Sequence, residues 1–222
     1  MNNEHIWRMV DHYVVEKLFP IDDILEQVLS TNKEAGLPEI NVSPTQGKML
    51  YLLAKIKGAK RILEIGTLGG YSTIWLARAL SDHGELFTLE ADPHYVKIAQ
   101  QNIERAGLSD QVTILSGKAL YTLPKLKEKN ISPFDFIFID ADKPNNPAYL
   151  KWALDFSQKG TVIIGDNVVR NGAVIDDKNE DERVKGTREF FDLFKHESRI
   201  EATAIQTVGE KGYDGFVMGI VK

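Results

Sequence analysis

The sequence predicts an α/β fold: a seven-stranded, mostly parallel sheet with an antiparallel last strand and helices on both faces. Three observations carry this. From Arg61 onward, short apolar runs alternate with amphipathic stretches, the pattern of strands joined by crossover helices. The first apolar run leads into a glycine-rich turn, Gly66-Thr67-Leu68-Gly69-Gly70. Two later runs end in acidic clusters, Asp140-Ala141-Asp142-Lys143 and Asp166-Asn167.

The segment up to about residue 57 reads as a helical N-terminal extension, and 58–222 as the core of the same single domain. Val10, Val14 and Leu18, then Ile24, Leu25, Val28 and Leu29, recur at helical spacing. Ser43-Pro44 is an N-cap followed by proline at the first helical position, ahead of a helix through Met49, Leu50, Leu52 and Leu53. Strands are predicted at 61–66, 85–90, 111–116, 134–140, 160–166, 200–206 and 214–221. Helices are predicted at about 71–80, 93–107, 118–129, 146–157 and 181–196. The last two strands have only Gly209-Glu210-Lys211-Gly212 between them, so they form a hairpin and add an antiparallel edge. Residues 171–181 are polar and read as a mobile loop beside the second acidic cluster.

Composition narrows the function classes. The chain has 222 residues, 43% hydrophobic and 27% charged, ordinary for a globular domain. It has no cysteine, which excludes disulfides, thiolate catalysis and Cys-based zinc sites and fits a cytoplasmic location. No apolar run approaches the roughly 20 residues needed to span a bilayer, and Met1–Arg8 holds no signal core. A net charge of −5 argues against broad binding to nucleic acid or anionic membrane. The five histidines are scattered and make no site.

If 134–140 and 160–166 are neighbouring parallel strands, about 4.8 Å apart, then Asp140, Asp166 and Asn167 converge at the carboxyl edge of the sheet. Three hard oxygen donors suit Mg²⁺, Ca²⁺ or Mn²⁺; helix capping is the plain structural alternative. The glycine turn departs from the dinucleotide fingerprint, with Leu68 where the second glycine belongs, and it lacks the Gly-Lys-Ser/Thr phosphate loop. Glu64, just before it, suits a ligand that carries an amine. Glu90, ending the second strand, can accept both hydroxyls of a ribose, or can be a solvated strand end. Ser116-Gly117-Lys118-Ala119 leaves room for a flat base, or makes a turn. A nucleoside pocket without phosphate chemistry, beside a cation site, points to S-adenosylmethionine.

Four motifs in combination, Glu64–Ser72, Ser116–Ala119, Asp135–Lys143 and Asp166–Gly172, with Ser43–Gly47 ahead of them, resemble those of the metal-dependent class I O-methyltransferases. Within that class they look like the caffeoyl-CoA and catechol O-methyltransferase-like group in its short bacterial form. The resemblance spans nearly the whole chain. It implies a Rossmann-like methyltransferase fold, often homodimeric. It also implies that Glu64, Gly66 and Ser72 hold the methionine part of the cofactor, with Val42 and Thr67 nearby. Glu90 holds the ribose, Gly117 and Ala119 flank the adenine, and Asp140 and Asp142 lie near the cofactor. Asp140, Asp166 and Asn167 ligate the metal, Lys143 stands at the base position, and Asn171 and Arg170 lie on the substrate side. Arg170 departs from the pattern, because an aromatic residue is common there. The implied reaction methylates a hydroxyl of a catechol-like small molecule, with Asp140 and Lys143 as catalytic residues. A hydroxyuridine in tRNA is the less favoured acceptor. A nicotinamide-dependent oxidoreductase is disfavoured by Leu68, and a non-catalytic binding protein by the complete ligand set.

Overall fold

The structure, a computed structural model, describes residues 3–222. Met1 and Asn2, which begin the stretch inspected for a signal core, lie outside the described residues. Three helices come first: α1 (Glu4–Leu18), α2 (Asp23–Glu34) and α3 (Pro44–Lys57). Ser43 and Pro44 start α3 as the sequence predicts. The Ser43 hydroxyl accepts from Gln46 N–H at 3.2 Å, and Pro44 sits where an N–H would have no helical partner.

The alternating part follows as β1 (Arg61–Ile65), α4 (Tyr71–Ala77), β2 (Glu85–Glu90), α5 (Pro93–Arg105), β3 (Val112–Ser116), α6 (Ala119–Glu128), β4 (Phe134–Ile139), α7 (Asn146–Asp155), β5 (Ser157–Asp166), α8 (Glu182–His196), β6 (Ile200–Gly209) and β7 (Gly212–Val221). The sheet has seven strands in the order β3-β2-β1-β4-β5-β7-β6, and β7 pairs antiparallel with both of its neighbours. The chain reverses between β1 and β3 on one side and β4 onward on the other. That switch point is where an open α/β sheet leaves a crevice for a ligand. Apolar side chains fill both faces, with Leu50, Ile62, Ile74 and Phe138 in one core cluster and Leu63, Ile137, Phe190 and Leu150 in the other.

The C-terminal hairpin adds the antiparallel edge that the sequence predicts, with β7 between β5 and the outermost β6. Several boundaries differ from the sequence prediction, among them α4, which ends at Ala77, and α7, which ends at Asp155. The β6–β7 ladder runs to Gly209↔Gly212, leaving a two-residue turn, Glu210-Lys211, because Gly212 takes a left-handed φ of 91°. β5 begins three residues early, at Ser157. A register shift opposite Phe134 and Phe136 admits the extra residues, and Thr161 closes it by accepting from Gln158 N–H at 3.0 Å and donating to the Phe134 carbonyl at 2.7 Å. Among the described residues, no helix is long and apolar enough to cross a membrane.

Candidate functional site

Strand register aligns the predicted site residues in one row. Ile65 pairs with Leu89 and with Ile139, Ile139 pairs with Gly165, and Glu90 pairs with Ser116. The next position on each strand therefore places Gly66, Glu90, Asp140 and Asp166 side by side across the carboxyl ends. Above this row opens a cavity of about 910 Å³. Val42, Gly66, Thr67, Ser72, Glu90, Ala119, Asp140, Asp142, Lys143, Asn167 and Arg170 all line it. Glu64, Gly117, Asp166 and Asn171 do not.

On the β1–β2 side the glycine turn wraps the Glu90 carboxylate. One Glu90 oxygen accepts from the backbone N–H groups of Thr67 (3.2 Å) and Leu68 (2.8 Å), and the other from Asp92 N–H at 3.0 Å. Leu68 takes a left-handed φ of 50°, a conformation that costs a non-glycine residue about 1–2 kcal/mol. These bonds fix the Glu90 carboxylate at the cavity wall before any ligand arrives. Gly66, at φ 102°, is required for a second reason: an added Cβ would overlap the Asp140 carbonyl oxygen, so the β1 turn and the β4 end can touch only at a glycine.

Glu64 is fully buried beneath the cavity. Its carboxylate accepts from Ser72 at 2.7 Å, from Thr73 at 2.5 Å and from Thr88 at 2.7 Å. Because the single Thr88 proton goes to Glu64, the Thr67 hydroxyl, 2.6 Å away, must donate to Thr88. Burial pushes the Glu64 carboxyl up to about 7, against the pull of its three hydroxyl donors. Ser72, bonded to Glu64, is the member of this set that reaches the cavity together with Thr67. Thr88→Val removes one donor and is expected to raise that carboxyl further. A buried carboxyl raised in the folded state holds a proton the unfolded chain has released, so stability falls as pH climbs from the unfolded value toward the folded one. In the variant that decline should extend above pH ~7, with an added loss of about 1–3 kcal/mol at pH 8. Denaturant titration at pH 5.5 and 8 measures it, and an equal loss at both pH values would contradict the role given to Thr88.

On the β4–β5 side, Lys143 lies 2.8 Å from Asp140, and only 7% of its side chain is exposed. It begins a short 3₁₀ turn, Lys143–Asn145, that leads into α7. Asp166 is buried, and burial raises its carboxyl well above the carboxylate range. The neighbouring Asp140 pushes the same way, while Lys143, Asn167 N–H and Gln46 pull it back. Asn167 N–H donates to Asp166 at 2.8 Å, and Asn167 takes a left-handed φ of 56°. Lys143 pairs with Asp140 alone, and burial keeps Asp166 from releasing its proton, so ionising both carboxyls would leave a net negative charge at this end. A divalent cation would offset it, with hard oxygen ligands from Asp140 and Asp166 and an amide oxygen from Asn167. No group of three or more His, Cys, Asp or Glu suited to a metal occurs among the described residues, so an amide donor is needed to complete such a set.

The segment after β5 is not a plain loop. Asp214 of β7 accepts from the backbone N–H groups of Val169 (2.9 Å) and Arg170 (3.0 Å), and Asn171 N–H donates to the Tyr213 carbonyl at 3.2 Å. A 3₁₀ turn, Ala173–Ile175, follows, and Arg188 of α8 bonds the carbonyls of Asp176 and Asn179. Sequence reasoning did not reach several wall residues. Tyr149 lines the cavity and donates to Asp142 at 2.6 Å, while Asn145 donates to the other Asp142 oxygen. Thr88 and Thr73 gave no signal, because hydroxyls inside a strand and a helix read as ordinary core positions.

A switch-point cavity, an acidic end on β2 and a turn unsuited to pyrophosphate mark an α/β protein whose site has room for a nucleoside without a phosphate bridge. Comparison with known proteins agrees. A model of the O-methyltransferase family matches residues 19–215. The chain is 50% identical over 222 residues to a catechol O-methyltransferase of Niastella koreensis, covering 100% of both proteins. Among solved structures, the O-methyltransferase from Bacillus cereus in complex with SAH superposes with a TM-score of 0.98 at 58% identity, covering 98% of this chain and 99% of that one. The O-methyltransferase TomG from Streptomyces achromogenes, involved in tomaymycin synthesis and solved with SAM, gives 0.96 at 44% identity with both chains fully covered (100%). The chain belongs to the O-methyltransferase family.

Proposed function

We propose that the protein is an S-adenosylmethionine-dependent, divalent-metal-dependent O-methyltransferase acting on a catechol-like small molecule. The observation that carries this is the single row of Glu90, Gly66, Asp140 and Asp166 beneath one cavity, which sets a nucleoside-binding end beside a cation-binding end. The catechol O-methyltransferase relative and the cofactor-bound neighbours support the same reading.

In this reading Glu90, held by the glycine turn, accepts from the ribose hydroxyls. Gly117 and Ala119 leave space for the adenine. Ser72, Thr67 and Gly66 meet the methionine end, with Glu64 supplying negative charge from below through Ser72. Asp140, Asp166 and Asn167 hold the metal, which when bound supplies Lewis acidity toward the acceptor hydroxyl. The need for help is clear: a phenol with pKa near 10 is only about 0.1% ionised at pH 7, a deficit of roughly 4 kcal/mol. In this reading Lys143, dry and bonded to Asp140, serves as the base that receives the acceptor's proton. Transfer forms an oxygen–methyl bond and breaks a sulfonium–methyl bond. The sulfur keeps the bonding electron pair, and the phenolic proton passes to Lys143 or solvent.

The test is transfer of a labelled methyl group from S-adenosylmethionine to a catechol panel, with added Mg²⁺ and again after exhaustive chelation. Turnover should fall at least 100-fold on chelation and return with Mg²⁺. Equal turnover in both samples refutes the metal role, and no transfer to any vicinal diol refutes the acceptor class.

A further inference from the structure

We infer that Arg170 selects acceptors that carry a carboxylate beside the reacting hydroxyls, so that the natural substrate is an anionic dihydroxy-aromatic rather than a neutral catechol. The inference rests on the methyltransferase reading above and narrows it.

Arg170 is set apart from the other arginines of the molecule. Arg61, Arg78, Arg183 and Arg199 each pair with a carboxylate, and Arg105 and Arg188 bond side-chain or backbone oxygens. Arg8 is exposed on α1. Arg170 is half-buried and lines the cavity; the Asp181 carboxylate, already paired with Arg183, feels its charge, but among the described residues Arg170 makes no side-chain hydrogen bond or ion pair, and its Nε is buried without a hydrogen-bond partner. A guanidinium cannot escape this cost by deprotonating, and removing it from water without a partner is unfavourable. An anionic ligand group would remove that cost through charge-assisted, fork-shaped hydrogen bonds.

The backbone makes this placement deliberate rather than loose. Arg170 holds a left-handed φ of 56°, with Asn171 beside it at 54° and Asn167 at 56°. Such strain persists only where the surroundings enforce it. Here the Asp214 carboxylate enforces it by holding the N–H groups of Val169 and Arg170. The guanidinium stem thus starts from a fixed point three residues after Asn167, on the wall that also carries Asn167 and Lys143. The cations nearby are already engaged, Lys143 by Asp140 and Arg183 by Asp181, so Arg170 is the group left to meet a ligand anion. A neutral ring could instead stack on the guanidinium face. That arrangement would not distinguish an acid from its ester.

The experiment uses a matched pair, 3,4-dihydroxybenzoate and its methyl ester, with S-adenosylmethionine and Mg²⁺. The readout is the ratio of kcat/KM for acid over ester in the wild type, in Arg170→Met and in Arg170→Lys. The wild type should favour the acid. The ratio should fall at least 10-fold in Arg170→Met and recover in part in Arg170→Lys, with the change carried by KM for the acid. A wild-type preference for the ester, or a ratio that Arg170→Met leaves unchanged, overturns the inference while the methyltransferase reading stands. If the wild type methylates neither compound, the vicinal-diol reading itself fails and the inference fails with it.

Discussion

Asp166→Asn should lose about 10³-fold in metal-supported methyl transfer, because one of two anionic oxygen ligands disappears and with it much of the roughly 4 kcal/mol needed to ionise the acceptor. The same substitution should not weaken the metal-free fold. Asp166 is 4% exposed, and burial together with Asp140 raises its carboxyl in the folded state. The folded chain therefore keeps a proton that the unfolded chain has released, and stability falls as pH rises through that interval. Asparagine keeps the volume and an oxygen for Asn167 N–H while removing the decline. In chelator, the variant should match the wild type below about pH 4, where folded and unfolded wild type both keep the proton, and exceed it by a few kcal/mol at pH 8. Loss of activity with gain of stability is the signature of a site built against the fold's own preference. Retained Mg²⁺-stimulated turnover would remove Asp166 from the cation site.

Gly66→Ala should be the most damaging single methyl group in the protein. At φ 102° the alanine is strained, and its Cβ would overlap the Asp140 carbonyl oxygen and lie 2.8 Å from the carbonyl carbon. Both contacts are backbone, so relief requires β1 and β4 to separate at their carboxyl ends. A loss of about 4 kcal/mol or more is expected, the range reached when backbone strain and overpacking combine. Gly58→Ala is the control. It is also left-handed, at φ 65°, but nothing lies within 4 Å, so only the conformational cost of about 1–2 kcal/mol applies. Urea titration of both variants decides the matter. Comparable losses would show that backbone conformation alone, and not the contact between the glycine turn and Asp140, makes Gly66 necessary.

Much of the core was legible in advance. The runs at 85–90 and 134–140 are apolar, bounded by turn residues, and of strand length, so they read as strands, β4 ending one residue early at Ile139. Ser43-Pro44 marked a helix start that the structure shows, and at the head of the helix predicted from 93 Asp92 accepts from His94 N–H at 2.8 Å. The convergence of Asp140 and Asp166 was also readable, once two successive apolar runs were taken as neighbouring strands. Less visible was the hairpin order, since alternation says which residues share a face but not which strand lies beside β5. The place of Glu64 was similarly hidden. Its position before the turn suggests contact with a ligand, whereas Ser72, Thr73 and Thr88 enclose it.

Sequence alone determined the strand and helix identities, the absence of thiol chemistry, and the oxygen-rich character of the β4–β5 end of the row. These follow from composition and local periodicity, which act over a few residues. Only the tertiary structure decided that β7 runs inside the sheet, that a chain of hydroxyls carries Thr67 to Glu64, and that Arg170 stands without a partner. Each of these depends on what packs from tens of residues away. The cost of a buried charge is set by the neighbours that fail to meet it, and no local pattern records them.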